Sequence, residues 1–317
     1  MAKILVLGGA HIYRRGRLEG PFHEGSSHPG TWAEEAGGGA FNAARNLARF
    51  GHQVTLISPR GGDAAGEFVG KTALASGIID RPFTFLDRRT PSYTAMLKSD
   101  GNLIAGLADM DLYRLFSPRR LRMRAVRDAF ASCDSILCDA NLPAETLTAI
   151  AHMAHDSQKH VSAIGISPAK VTRLTHALAQ LDMLFINAAE ARALTGESDI
   201  EAAIKVLQAS GLKAASITNG GSALHAFSHI GRLVYQPPEL RDVKDVTGAG
   251  DAFAAATLSA TLNGHDLSEA IRDGVASALI TLASPNAFTP TMSLDLLRST
   301  SDTLSMPHLQ PFLTSQP

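Results

Sequence analysis

The segment Asp245-Val-Thr-Gly-Ala-Gly-Asp251, running into Ala-Phe-Ala-Ala-Ala-Thr-Leu, is the part of the chain best suited to chemistry. Small residues at Gly248, Ala249 and Gly250 let a ligand approach the backbone closely. The apolar run behind them predicts a helix over about 249–263. Free N–H groups and the positive dipole end at its start attract an anion. Asp251 then places a carboxylate inside an anion site, which is useful if it takes a proton from a group beside the anion. Phosphoryl transfer to an alcohol asks for that combination: donors for the phosphoryl oxygens and a base for the attacking hydroxyl. An ordinary Asp-capped helix after a glycine turn has the same spacing, so this segment does not decide the matter alone.

A second segment is Gly37-Gly38-Gly39-Ala-Phe-Asn42. It opens a helix over 37–50, with Phe41, Ala44, Leu47 and Ala48 on one face and Gly51 as the stop. A glycine run at a helix start can receive a polar small molecule, with the Asn42 amide reading its hydroxyls. It is not a dinucleotide fingerprint, because no Gly-x-Gly-x-x-Gly follows a strand here. Ala65-Gly-Glu-Phe-Val-Gly70-Lys71-Thr72 fits a loosened phosphate loop. However, the preceding strand ends near Ser58, and Phe68, Thr72 and Leu74 continue one helix through the motif, which leaves Lys71 as an exposed helix residue. The run from Arg119 to Arg127 reads as a helix with a solvated arginine face. His152, His155 and His160 lack a carboxylate or Cys at ligand spacing and read as surface histidines. Cys133 and Cys138 match no metal or redox spacing and read as buried thiols in a reducing cytosol.

These residues need a frame to hold them. The chain has 317 residues, 45% apolar and 19% charged, with a formal net charge of −1. That excludes disorder as the main state and bulk binding of nucleic acid polymer. No apolar run is long enough to span a bilayer, and the N-terminal apolar stretch is too short for a signal peptide before His11 and Arg14-Arg15. The expectation is a cytoplasmic protein acting on small molecules. Strands at 3–8, 54–57, about 135–139, 161–166, 183–186 and 214–218 alternate with helices at about 63–76, 144–155, 169–180, 188–210, 249–263 and 267–282. Such alternation predicts right-handed βαβ crossovers and a parallel sheet, an α/β fold. Residues 11–36 read as loops with short strands. Residues 83–107 alternate in polarity, and Asp100-Gly101 suggests a hairpin turn. The two stretches could form a small separate sheet.

Taken together, the two glycine-rich segments resemble the two signatures of the ribokinase-like (PfkB-type) carbohydrate kinases. Asn187-Ala-Ala-Glu190 and Thr218-Asn-Gly220-Gly221 fall in order between them and look like the family's Asn-x-x-Glu and nucleotide-binding Thr-x-Gly motifs. The resemblance implies a single kinase domain over 1–317. Its fold would be a three-layer α/β/α sandwich with a mostly parallel sheet, and a β-lid formed by about 11–36 and 83–107 would pair two copies into a homodimer. By similarity Asp251 is the base, and Gly248, Ala249 and Gly250 form the anion hole. Asn187, Glu190, Thr218, Gly220, Gly221 and Asn286 serve ATP, with Glu190 acting on Mg²⁺ through water. Asp245 and the Thr247 carbonyl fall where many members bind a monovalent cation such as K⁺. His11, Tyr13, Gly38, Gly39, Asn42, Tyr93 and Asn141 fall on the substrate side.

A closer resemblance, to the pseudouridine kinases within that family, rests on several stretches. They include Gly8-Gly-Ala10, Gly25-Ser-Ser-His-Pro-Gly30, Tyr93-Thr94-Ala95, Asp139-Ala-Asn-Leu-Pro143 and Ser167-Pro-Ala-Lys170. There is one departure. Relatives read Gly-Gly-Ala-Asn-x-Asp after the first strand, to hold sugar hydroxyls, and here His11 and Tyr13 stand at those two positions. Losing a charged partner for buried hydroxyls weakens binding by about 1.5–3 kcal/mol. The expectation is an ATP-dependent kinase of a sugar or nucleoside hydroxyl, with a pseudouridine-like substrate the best single choice. The alternative is a ligand-binding or regulatory protein on the same fold, for which His11 and Tyr13 speak.

Overall fold

The computed structural model describes residues 1–240 and 242–312. The first half runs β1 (Lys3–Leu7), β2 (His11–Leu18), β3 (Gly30–Gly37), α1 (Gly39–Arg49), β4 (Gln53–Ile57), β5 (Pro59–Gly61), α2 (Ala64–Ala75), β6 (Ile79–Asp80), β7 (Phe83–Phe85), β8 (Ser92–Leu97) and β9 (Leu103–Asp109). Then come α3 (Pro118–Leu121), α4 (Arg124–Ser132), β10 (Ser135–Asp139), α5 (Ala144–Asp156), β11 (His160–Ile164), α6 (Pro168–Val171), β12 (Met183–Asn187), α7 (Ala188–Thr195) and α8 (Ile200–Ala209). The chain continues through β13 (Ala215–Asn219), β14 (Ser222–Ser228), β15 (Gly231–Tyr235), α9 (Ala249–Leu262), α10 (Leu267–Leu282), α11 (Leu294–Ser301) and β16 (Leu309–Pro311).

Ten strands form one sheet in the order β16-β15-β14-β13-β12-β11-β10-β1-β4-β6. From β6 to β13 every pairing is parallel, and β14 to β16 add an antiparallel edge. Alternate side chains of β1 feed two cores. Leu5 and Leu7 pack with Ile136, Leu147, Val161 and Leu174 on one face. Ile4 and Val6 pack with Phe41, Leu56, Phe253 and Val275 on the other. Helices therefore cover both faces, as an all-parallel core requires, and the architecture is the expected three-layer α/β/α sandwich.

Strand order reverses at β1. From there the chain builds outward through β4 and β6, and later through β10, β11, β12 and β13 on the opposite side. The carboxyl ends of β1 and β10 thus meet at a topological switch point, where open α/β sheets bind ligands.

A second sheet, ordered β3-β2-β8-β9, stands beside the first. The loops expected within 11–36 are instead two paired eight-residue strands. Gly16 and Gly30 look like turn residues but serve close packing: a Cβ at Gly16 would press on Trp32, and one at Gly30 on the Arg17 carbonyl. Residues 83–85 do not join this sheet; they pair with β5 in a separate ribbon. The Asp100-Gly101 turn does join β8 to β9.

Other expectations change as well. The helix expected from Arg119 to Arg127 is two, α3 and α4, interrupted at Arg122 and Met123. The helix foreseen over 188–210 is two, because Gly196 adopts φ 80° and ends α7. The region 169–180 is a short α turn followed by a 3-10 segment over Thr172–Gln180. Lys71 is exposed on the uninterrupted α2, whose N-terminus Asp63 caps through Gly66 N–H at 2.9 Å. His160 is not a surface histidine but half-buried, bonded to the Ser135 hydroxyl at 3.1 Å. Cys133 and Cys138 are free and buried.

Candidate active site

The glycine run predicted to open a helix does so: α1 starts at Gly39, after Gly38 at φ 115°. Neither Gly38 nor Gly39 can cap a helix with a side chain, and the cap comes from across the switch point. Asp139, the last residue of β10, is fully buried. It accepts hydrogen bonds from the Ala40 N–H at 2.8 Å, the Gly9 N–H at 3.0 Å, and the Asn141 N–H and side-chain amide at 3.0 and 2.9 Å. Burial pushes its pKa up against these donors. Gly8 is glycine because a Cβ there would meet the Asp139 carboxyl at 2.6 Å. Asp139 thus ties the end of β1, the start of α1 and the end of β10 into one floor.

Asp251 lies in the first turn of α9, whose N-cap is Gly248 at φ 81°. A Cβ at Gly248 would collide with the Ala287 carbonyl, so the turn needs glycine for both its φ and its packing. Gly250 differs, because a Cβ there would meet no protein atom within 4 Å. The Asn42 side-chain amide donates to Asp251 Oδ2 at 2.8 Å, while Asn42 Oδ1 is buried without a partner. The Asp251 carboxyl is pushed up to about 7, first by burial and then by the charges of Asp139 and Glu190, with the Asn42 hydrogen bond opposing them. A carboxylate poised near neutrality, beside a helix N-terminus and an orphaned acceptor, is equipped to take a proton from a hydroxyl. Gly39 lies between the two acids: a Cβ on it would sit 3.3 Å from both Asp139 Oδ2 and Asp251 Oδ1.

On the other side of Asp251 a cavity of about 470 Å³ opens. Asn187, Thr218, Gly220, Gly221, Ala249 and Gly250 line its polar end. Leu224, Val243, Phe253, Val275 and Leu279 form an apolar wall. This pattern suits a flat apolar base joined to a charged chain. Gly220 and Gly221 turn β13 into β14, and a Cβ on either would meet nothing. Asn286 lies on the bend after α10, with its N–H on the Ser284 hydroxyl, and is not among the residues lining the cavity.

Asn187 and Glu190 form a reciprocal capping box at the start of α7. The Asn187 side chain accepts from the Glu190 N–H at 2.9 Å, and the Glu190 carboxylate accepts from the Asn187 N–H and amide at 3.0 and 2.9 Å. Burial pushes the Glu190 pKa up. Among the described residues, no cluster of three or more His, Cys, Asp or Glu could hold a metal ion. Both Glu190 oxygens are taken by Asn187, so the pair offers no all-protein cage for a cation.

The substrate-side residues gather less evenly. His11 and Tyr13 are on β2. His11 is buried, its Nδ1 2.9 Å from the Tyr113 hydroxyl, and burial followed by the charge of Lys170 pushes its pKa down to about 3, so it is neutral. The Tyr13 ring packs edge-on against His11 at 4.9 Å and Tyr93 at 6.3 Å, and it fills the space beside Gly37. Burial and then the Asp251 and Asp139 charges push the Tyr13 phenol up, against a backbone hydrogen bond with Gly38. Asn141 is committed: its amide donates to Asp139, and its oxygen accepts from Lys170 Nζ at 2.7 Å. Sequence reasoning misses Asp139, Lys170, Tyr113 and Ile166 as site residues. Ile166, at φ 72°, projects to Gly39. The available signal for Asp139 is an acid ending an otherwise apolar strand.

Asp245 does not present a free carboxylate. It accepts from Thr247 N–H at 2.8 Å and is ion-paired to Arg15 of β2 at 2.5 Å.

The family model for the pfkB family of carbohydrate kinases matches residues 1–293. The pseudouridine kinase of Escherichia coli K12 is 25% identical over 297 residues, covering 92% of this chain and 94% of that protein. A solved carbohydrate kinase from Agrobacterium tumefaciens is 51% identical, covers 98% of this chain and 100% of its own, and superposes with a TM-score of 0.89. The ribokinase of Arabidopsis thaliana, solved with ribose and ATP, is 20% identical with a TM-score of 0.82, covering 95% and 98% of the two chains.

Proposed function

The chain belongs to the pfkB family of carbohydrate kinases, phosphotransferases with a hydroxyl acceptor, and on that premise we propose that it moves the γ-phosphoryl group of ATP to a hydroxyl of a sugar or nucleoside. A pseudouridine-like acceptor is the best single choice, in keeping with the E. coli relative. The observation that carries the reading is Asp251: a carboxyl pushed up to about 7, aimed by Asn42, at the N-terminus of α9 beside the glycine-lined cavity.

In this reading the adenine lies on the apolar wall and the phosphates reach toward Thr218, Gly220 and Gly221. The N–H groups at Gly248, Ala249 and Gly250 receive the charge that grows on the transferred group. Asp251 takes the acceptor's proton. Asn42 holds the acid with its N–H₂ and offers Oδ1 to a second hydroxyl. Asn187 and Glu190 order water near the phosphates, and Mg²⁺ there supplies charge neutralisation. The second sheet serves as the lid. Its exposed Trp32, Met96, Leu103 and Leu107 favour pairing of two copies through that sheet. The buried free thiols favour a reducing compartment, the cytoplasm. A binding or regulatory role is the second reading, favoured by the His11–Tyr113 contact that seals part of the substrate side.

The test is ADP release with Mg·ATP across a panel of nucleosides and free sugars. Turnover on one class, lost in Asp251→Asn, is the expected result. Tight ligand binding with no ADP release on any acceptor would favour the regulatory reading.

A further inference from the structure

Arg15 stands at an unexpected place. It belongs to β2 of the second sheet, yet its guanidinium reaches the start of the anion-binding segment. One nitrogen donates to Asp245 Oδ2 at 2.5 Å and another to Glu35 Oε1, on neighbouring β3, at 2.6 Å. Burial pushes the Glu35 carboxyl up, and the charges of Arg15 and Arg45 and the nearby Ala287 backbone oppose that shift. Arg45 lies over the Phe288 ring at 3.7 Å. The Ala287 carbonyl backs directly onto Gly248. Four charged side chains, Arg15 and Arg45 against Glu35 and Asp245, therefore clasp the two loops that shape the N-terminus of α9, and their charges balance.

A monovalent cation at Asp245 and the Thr247 carbonyl would serve by neutralising that carboxylate and pinning the loop. The residues present do not fit it: the Asp245 charge is already matched by a guanidinium, and its other oxygen is held by the Thr247 N–H. A guanidinium is always charged, weakly hydrated and forked, so it can hold two carboxylates at once. We propose that Arg15, held by Glu35, replaces the monovalent cation in this kinase, so that phosphoryl transfer needs no K⁺ and the anion-binding turn is completed from the lid. Arg15 is then a positioning residue. It touches no reacting atom but couples the second sheet to the turn that holds the phosphoryl group.

The inference rests on the kinase reading, so its test also has arms that need no turnover. Turnover, affinity for a non-hydrolysable ATP analogue and melting temperature are measured in KCl, NaCl and tetramethylammonium chloride at equal ionic strength. Coupled ligands change affinity by about 5–150-fold, so differences below about two-fold are the expected outcome for the wild type. A K⁺ requirement of about ten-fold or more in turnover or analogue affinity overturns the proposal. Arg15→Gln should lose turnover and analogue affinity in tetramethylammonium and regain part of both in KCl, whereas Arg15→Lys should keep more of each. Arg15→Gln behaving as wild type in tetramethylammonium also overturns it. Should Arg15→Gln not fold, the wild-type comparison decides. Should no acceptor be phosphorylated, the kinase reading fails while analogue binding and melting still judge the cation.

Discussion

Asn42 on α1 and Asp251 on α9 are 209 residues apart in sequence and share one hydrogen bond of 2.8 Å. Each comes from the start of its helix, so the bond joins the two helix N-termini over the switch point of the sheet. With Asp251 ionised, the carboxylate only accepts, so the Asn42 N–H₂ donates to it while Asn42 Oδ1 is buried without a partner.

Asp251→Asn keeps size and removes the base. Turnover should fall by about 10²–10⁴-fold, with affinity for ATP nearly unchanged. Steady-state rates together with nucleotide titration check this, and a variant that keeps half the wild-type rate would remove Asp251 from the role of base.

The pH profile should carry the same acid. Asp251 must be ionised to accept a proton, so kcat/KM should rise with pH through about 7 and level off above it. The Asn42 hydrogen bond lowers that pKa. Asn42→Ala should therefore move the rising limb to higher pH and weaken every acceptor. A limb that stays in place, or moves down, contradicts the coupling.

Gly250→Ala separates ligand space from packing. Alanine favours a helix over glycine by up to about 1 kcal/mol, and the new Cβ would meet no protein atom. The melting temperature should hold or rise. The methyl group would intrude where the phosphoryl oxygens approach, and turnover should drop by about 10²-fold. A stable variant with unimpaired turnover would mean that the phosphoryl group lies elsewhere.

Glu190→Gln keeps one half of the capping box, because the Gln oxygen can still accept from the Asn187 N–H, but it loses the bond from the Asn187 amide. It removes the negative charge that would order water around Mg²⁺. The Mg²⁺ concentration needed for half-maximal turnover should rise, with the acceptor KM unchanged. The opposite pattern, a shifted acceptor KM and an unchanged Mg²⁺ titration, would assign Glu190 to the acceptor side.

Much of this arrangement is legible in the sequence, and what is missed has physical reasons. Strand β1, the glycine-opened α1, the Asp63 cap and the Asp100-Gly101 turn are local signals, and the structure keeps them. Strand β3 is hidden because it is exposed along most of its length and so shows no alternation. Gly16 and Gly30 serve close approach rather than turns. The break at Gly196 carries local signals, a glycine C-cap followed by Ser198 and the Asp199 N-cap, and a single helix over 188–210 passes over them. Asp139 and Arg15 escape notice for a different reason. Asp139 matters because β10 lies beside β1, and Arg15 because β2 folds back over residue 245. Neither neighbour is written in local periodicity.

Tyr13 is the residue on which substrate choice should turn. Its ring lies on β2 between His11 and Tyr93, beside Gly37, and its phenol feels the charges of Asp251 and Asp139. An apolar ring there offers no carboxylate for a ribose diol and favours an acceptor with an aromatic or less hydroxylated portion. Tyr13→Asp should shift preference toward ribose-containing acceptors such as pseudouridine, by about 10-fold or more if the regained contacts are worth about 1.5–3 kcal/mol. The new carboxyl would stand among acids, so its own ionisation is resisted and the gain should grow with pH. Tyr13→Phe is the control: it keeps the ring, and the acceptor ranking should stay as in the wild type. The measurement is kcat/KM for a nucleoside and free-sugar panel on all three proteins. If the ranking is the same in Tyr13→Asp as in the wild type, the ring fills space without choosing the substrate, and specificity must be set by the floor around Asp139 and Lys170.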